Sequence, residues 1–316
     1  MSEAPTSKVP IEALRPGDLL FLRSADSLGR MITRLDGSDF SHVGMVAEPG
    51  IMVSARTNRH VSYAGVDDVD LGGVRLNSIA DLLLGATPPK RTMAAARPKT
   101  TMVDPDRALA KALELLEIGT VHRSRFSYLK LFLVATALDS YTGPGKEQLL
   151  VSAVAAARAW EAHAQAVLRQ QPSFFCSELI AVLFDEYRFQ VDELRPPPAP
   201  DNGAATDGVD GVIDVIRLAR RLADEAGHPS REQVATVARV VRDLATYDPP
   251  FLRDVFEELH RLLKDRLGRE GRSVDEPATD APQEELDASA PLPYALVTPR
   301  MLWTAKWVTH LGEVGA

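Results

Sequence analysis

The sequence predicts an α+β fold in which a small, mostly antiparallel sheet packs on helices. Three observations predict it. Short β-rich runs bounded by turn residues recur between residues 19 and 97. Helical periodicity takes over at Asp104-Pro105. Then Phe174-Phe175-Cys176-Ser177-Glu178-Leu179-Ile180, which holds the only cysteine, leads into a stretch whose Leu179, Val182 and Leu183 fall on one helical face.

Residues 1–10 are polar and read as a loose tail. Pro16-Gly17-Asp18 makes a turn, with Asp18 stabilising it, and Leu19–Leu22 follows as a short buried strand. Leu28, Met31, Ile32 and Leu35 keep helical spacing over 24–35. Ser41–Ala47 and Ile51–Ala55 are strands separated by a turn at Gly50, and Gly44 lets another backbone approach closely. A loop fills 56–70, Gly73–Leu76 is a third strand, Ser78 caps a short helix to Leu83, and Thr92–Arg97 is a further strand. Together these strands read as a meander.

The helical half opens with Asp104 as cap and Pro105 at the first helical position, and runs to a stop near Gly119. Phe126–Leu138 and the alanine-rich Glu147–Gln170 read as two more helices, followed by the Cys176 helix to about Tyr187. These stretches and the strands before them form one domain over residues 11–195. Pro196–Gly203 is linker-like. Amphipathic stretches at 209–225, 230–245 and 250–268 predict an added helical insert over 196–268, and the acidic, Pro-rich 269–293 predicts disorder. Residues 294–316 regain apolar and aromatic character and should return to the core.

Composition narrows function. The formal net charge of −8 argues against nucleic acid as a partner, since phosphate contacts need clustered Lys and Arg. A single cysteine excludes an intrachain disulfide framework and zinc sites built on several thiolates, and no metal or cofactor is expected. The first ten residues lack the apolar core of a signal peptide, and the most apolar run, Tyr128–Leu138, is about half the length needed to cross a bilayer. The expectation is a cytoplasmic protein without a membrane partner.

The only cysteine sits near a helix start, where free N–H groups and the helix dipole favour a thiolate, the nucleophilic form. A thiolate needs a base. Of seven histidines, His163 and His260 lie on polar helical stretches, His228 in a Gly-Pro turn, His60 and His122 in Arg-bearing loops, and His310 near the end. His42 differs, standing at the start of an apolar strand between Ser41 and Val43, a setting suited to a general base. A core histidine bonded to backbone fits the same spacing, and a lone cysteine is more often a small core hydrophobe.

The two motifs together resemble a known family. Ser41-His42-Val43-Gly44-Met45-Val46, preceded by Arg15-Pro16-Gly17-Asp18-Leu19-Leu20-Phe21, is similar to the N-terminal signature of the permuted NlpC/P60 cysteine hydrolases. Phe175-Cys176-Ser177-Glu178-Leu179-Ile180 resembles the cysteine-helix motif of the YiiX-like branch of that superfamily. The histidine precedes the cysteine, the permuted order. The resemblance spans 14–83 and 104–187, extends to Val297–Leu302, and leaves out 200–293.

The resemblance implies a circularly permuted papain-like fold. It makes Cys176 the nucleophile, His42 its base and later proton donor, and the Cys176 N–H an oxyanion donor. A third polar residue orients the histidine in relatives, often Glu or His; the matching position here is Ser54, with Asn58 and His60 as alternatives in the loop. Where relatives have Tyr after the residue matching Gly119, this chain has His122. Glu178 reads as a helix cap or ion-pair residue rather than a catalytic acid.

The implied activity is hydrolysis of an amide (peptide or isopeptide) or ester bond through a thioester, with a peptide, amide or lipid-acyl substrate. Two alternatives stand beside it: lipid acyl transfer or acyl hydrolysis of the lecithin:retinol acyltransferase-like kind, and a binding module weakened at position 54. The insert at 196–268 is a candidate docking surface for a protein partner, with packing on the core as the plainer reading.

Overall fold

A computed structural model describes residues 8–23, 29, 32–33, 36–56, 73–84, 92–122, 125–126, 154, 157–158, 173–194, 261 and 289–315. The strands are β1 (Val9–Pro10), β2 (Leu19–Arg23), β3 (His42–Glu48), β4 (Ile51–Arg56), β5 (Gly73–Ser78), β6 (Thr92–Pro98), β7 (Arg125–Phe126), β8 (Ser173–Phe174) and β9 (Val308–Gly315). The α-helices are α1 (Ile79–Leu84), α2 (Pro105–His122), α3 (Cys176–Leu183) and α4 (Pro299–Thr304). Among the described residues, seven strands form one mixed sheet in the order β1-β9-β6-β2-β3-β4-β5, and β7 pairs with β8. Only the β1–β9 pair within that sheet is parallel. The fold is α+β.

Alternation along the strands builds two apolar layers. Leu19, Phe21, Val43, Met45, Val53 and Ala55 share one cluster with Cys176, Leu179, Ile180 and Leu183 of α3. Leu20, Leu22, Val46, Met52, Met93 and Ala95 form the other, closed by Ile79 and Leu82 of α1. Helix α3 therefore lies on one face of the sheet, against β3 and β4. The β2–β3 register pairs Leu22 with His42, Phe21 with Val43 and Leu20 with Gly44.

Turn chemistry sets this register. Gly17 has φ +89°, and a Cβ there would lie 2.6 Å from Pro105 Cβ at the start of α2. Asp18 closes the turn by accepting from the Arg15 N–H at 2.8 Å. Its two oxygens also take Arg97 Nε and Nη2, each at 2.7 Å, a bidentate pair tying β2 to β6.

Several expectations need correction. Residues 9–10 are not loose tail but β1, paired with Val314 and Gly315. The strands do not form a plain meander: β6 returns to the free edge of β2, and β9 extends the sheet beyond it. β5 continues past Leu76 to Ser78. Ser78 Oγ accepts from the Asp81 N–H at 3.3 Å, the expected cap. α2 runs past Gly119 to His122. Phe126 is in β7 rather than a helix. α3 stops at Leu183, with Phe184 as its C-cap, short of Tyr187.

Of the predicted 147–170 helix, Val154, Ala157 and Arg158 are described and helical, and Val154 and Ala157 are buried in the α3-side core. The helix over 127–138, the loop 57–72 with Asn58 and His60, and nearly all of 195–288 lie outside the described residues, as does the His122 side chain.

The end of the chain is central to the core. Leu292, Ala295, Leu296, Val297, Met301, Leu302 and Trp307 all join the α3-side cluster. β9 then lies between β1 and β6.

Candidate active site

Helix α3 begins where its sequence allows it to. Phe174 and Phe175 are buried, and Phe175 is extended at φ −104° and ψ 174°, which ends the strand-like approach. Glu178 Oε2 accepts from the Phe175 N–H at 3.3 Å. A phenylalanine has no side-chain acceptor to return the bond, so this is half of a capping box. Glu178 is thus a cap residue, buried at the helix start.

Cys176 is the first residue of α3 and 4% exposed. The backbone N–H groups of Val43, Ser177 and Cys176 itself, and the Ser177 hydroxyl, lie around the sulfur. Each favours the thiolate. Burial opposes them and is the larger effect, so the thiol is pushed up to about 11. The N–H groups at the helix start favour the thiolate, as expected, but desolvation outweighs them.

The nearness of the Val43 N–H locates the sulfur. Backbone N–H groups of a strand point along the sheet rather than to either face. Sγ therefore sits beside the first residues of β3, at the peptide that joins His42 to Val43. His42 is half-buried and its Nε2 is shielded from solvent. Val43 and Met45 face the α3-side core, whereas Val46 belongs to the other layer. By alternation His42 shares the parity of Gly44 and Val46, the sheet face opposite the one that carries Val43, Met45 and the Cys176 cluster.

Ser54 is fully buried in β4. It stands beside Gly44, where a Cβ would come within 2.9 Å of Ser54 Cβ. Its Oγ accepts from Asn77 Nδ2 at 3.3 Å, and the same Nδ2 donates to the Arg75 carbonyl at 3.1 Å. The predicted third residue is therefore near the His42 strand but engaged with β5.

Two parts of the site have no counterpart in the sequence reading. Asn77 is 2% exposed, and its signal was the alternation of Val74 and Leu76 with Arg75 and Asn77, carried one residue further than the predicted strand. The other is a network around Asp36, six residues before His42. Asp36 Oδ2 accepts from the Arg300 N–H at 2.7 Å and from Ser38 Oγ at 3.2 Å, and Thr298 adds a side-chain bond. Arg300 Nε lies 3.6 Å from Asp36 Oδ1. Burial raises the Asp36 carboxyl to about 6 despite these bonds. No local pattern could reveal a contact spanning 264 positions.

The C-terminal segment also grips the cysteine helix. Ser177 Oγ donates to the Val297 carbonyl at 2.7 Å. Val297 and Thr298 thus connect α3 with the approach to β3 through consecutive residues. His310, on β9, stacks on Trp303 at 3.9 Å and places Nε2 2.8 Å from the Trp303 carbonyl.

Among the described residues, no group of three His, Cys, Asp or Glu side chains is placed to hold a metal ion, and no helix is long and apolar enough to cross a membrane. Comparison with protein-family models, curated proteins and solved structures finds no match to this chain.

Proposed function

We propose that the chain is a cysteine-dependent hydrolase on a permuted papain-like fold, cleaving an amide or ester bond through a thioester on Cys176. One observation carries this reading: the only cysteine starts a buried helix with its sulfur close to the backbone N–H of Val43, the residue directly after His42.

The chemistry follows from the raised thiol. At neutral pH the sulfur is protonated, so His42 acts as a base during attack rather than holding a preformed ion pair. Sγ bonds to the substrate carbonyl carbon as its proton passes to the imidazole. The N–H groups at the open end of α3 turn to the developing oxyanion. The tetrahedral adduct collapses, the leaving amine or alcohol takes the proton from His42, and a thioester remains. Water then adds with His42 as base, and the acid departs as the thiol is reformed.

Burial of Cys176 and the uncharged residue at position 54 favour one second reading, a binding module that keeps the fold without turnover. Acyl capture separates the two. The full chain is incubated with activated esters and with fluorogenic peptide amides, and the intact mass is followed. The hydrolase reading expects one hydroxylamine-sensitive acyl adduct on Cys176, lost in Cys176→Ala and strongly slowed in His42→Ala. Absence of adduct with both substrate classes leaves the binding module.

A further inference from the structure

Asp36 stands in the approach to β3 with a buried carboxyl. Its Oδ2 accepts from the Arg300 N–H at 2.7 Å, a length typical of a charged acceptor. Its Oδ1 faces Arg300 Nε at 3.6 Å, beyond hydrogen-bonding reach. The third neighbour is Ser38. Its Oγ lies 3.2 Å from Asp36 Oδ2 and 2.9 Å from the Phe40 carbonyl oxygen, and it accepts from the Phe40 N–H at 3.2 Å. A hydroxyl has one proton to give, so carboxylate and carbonyl are alternative acceptors for it. Both lie within bonding distance at once, so exchange between them needs only rotation of the hydroxyl.

The charge on Asp36 chooses between them. A carboxylate draws the Ser38 proton, since a bond to a charged acceptor is roughly twice as strong as a neutral one. The Phe40 carbonyl then loses that proton. A proton taken from solvent onto Oδ2 reverses the bond: the acid donates to Ser38 Oγ, and Ser38 gives its own proton to the Phe40 carbonyl. We infer that Asp36, Ser38 and Phe40 form a pH-operated relay, in which one proton at a buried carboxyl makes or breaks the bond closing the Ser38–Phe40 turn, directly before Ser41 and His42. The relay acts on the backbone and is independent of what Cys176 does. Burial sets the ionisation of Asp36 at about 6, within the range of ordinary buffers. Among the described residues, Arg300 of α4 faces Oδ1 and also donates to the carbonyls of Glu193 and Leu194 at 3.4 and 3.3 Å. Asp39 of the same approach pairs with Arg23 of β2 at the surface. The Glu193 carboxylate accepts from the Gln190 N–H at 2.7 Å, His310 of β9 holds the Trp303 carbonyl, and His42 opens β3 beyond the turn.

The test is a titration of the full chain, labelled with ¹⁵N, from about pH 4 to about pH 8. The Arg300 amide proton is bonded to Asp36 and reports its charge. The Ser41 amide nitrogen shares a peptide group with the Phe40 carbonyl and reports the bond made there. Its own N–H is held on the Leu22 carbonyl at 2.9 Å, which keeps it observable through the range. In the natural chain both resonances should move together, with one midpoint near 6. In Ser38→Ala the Arg300 resonance should still titrate while the Ser41 shift is lost. In Asp36→Asn both should be flat, because the side-chain amide donates to Ser38 as the acid does. Ser38 is half-buried, and Ser38→Ala decides the matter alone if the asparagine variant does not fold. A turn of merely structural weight would leave Ser41 unmoved in the natural chain, or would let its shift persist in Ser38→Ala. Either result overturns the inference, as does an Arg300 resonance that stays still in the natural chain or titrates in Asp36→Asn.

Discussion

The backbone N–H of Arg300 donates to Asp36 Oδ2 at 2.7 Å, joining the approach to β3 to the first turn of α4. Asp36 is 1% exposed, and burial raises its carboxyl from 3.8 to about 6. A raised folded value means that its stabilising contribution is full below pH 3.8 and lost as pH rises through about 6. Asp36→Asn should therefore gain on the natural protein between pH 4 and 7, by up to about 3 kcal/mol at 1.36 kcal/mol per unit. Urea midpoints of both proteins at the two pH values check this. A difference that does not change with pH would remove the buried-carboxylate account.

Arg97 is the bidentate partner of Asp18, and Asp18 is 2% exposed while the Arg97 side chain is 31% exposed. Breaking a fully buried pair costs roughly 3–5 kcal/mol. Partial solvent access to Arg97 reduces that, so Arg97→Ala should lose about 2 kcal/mol in urea unfolding. A loss under about 0.5 kcal/mol would place this pair with ordinary surface bridges.

Gly44 is held small by its neighbours. A Cβ there would clash with Met52 Cε, and would lie 2.8 Å from the Val53 carbonyl and 2.9 Å from Ser54 Cβ. The methionine end can move; the backbone carbonyl cannot without shifting β4. Gly44→Ala should destabilise by about 1–3 kcal/mol and lower turnover by displacing the strand that carries His42. Thermal unfolding and ester turnover, measured together, check it. Unaltered values for both would show that β3 and β4 have slack at this point.

Ser54 is bonded to Asn77 and carries no charge for an imidazolium. Ser54→Ala should lose about 1 kcal/mol of stability, the worth of one neutral hydrogen bond, and about tenfold or less in ester kcat/KM. Cys176→Ala should abolish turnover. If Ser54→Ala were as severe as His42→Ala, Ser54 would be an orienting residue after all.

Much of the sheet was legible because its strands carry their signals locally. Leu19–Leu22 and Ser41–Ala47 are β-rich runs bounded by turns, and Ser78 announces its helix by capping chemistry. What could not be read was pairing. β6 joins β2 rather than β5, and β9, with His310 and two glycines, lacks a clean alternation until β1 and β6 flank it. For the site, the sequence offered Cys176 at a helix start and His42 at a strand start, and both residues stand there. It gave no sign that burial would outweigh the helix end at Cys176. The Asp36–Arg300 and Ser177–Val297 bonds span 264 and 120 positions, beyond the reach of any local pattern.

The most direct test of the central claim is the pH profile of Cys176 alkylation by iodoacetamide in the natural chain and in His42→Ala. The thiol itself ionises at about 11, so an unassisted sulfur should show one rise in rate toward that pH. A sulfur served by His42 should show an added shoulder as the imidazole loses its proton. We expect that shoulder in the natural chain and its disappearance in His42→Ala, with the alkaline rise retained. Superimposable profiles would contradict the pairing of Cys176 with His42 and the hydrolase reading built on it.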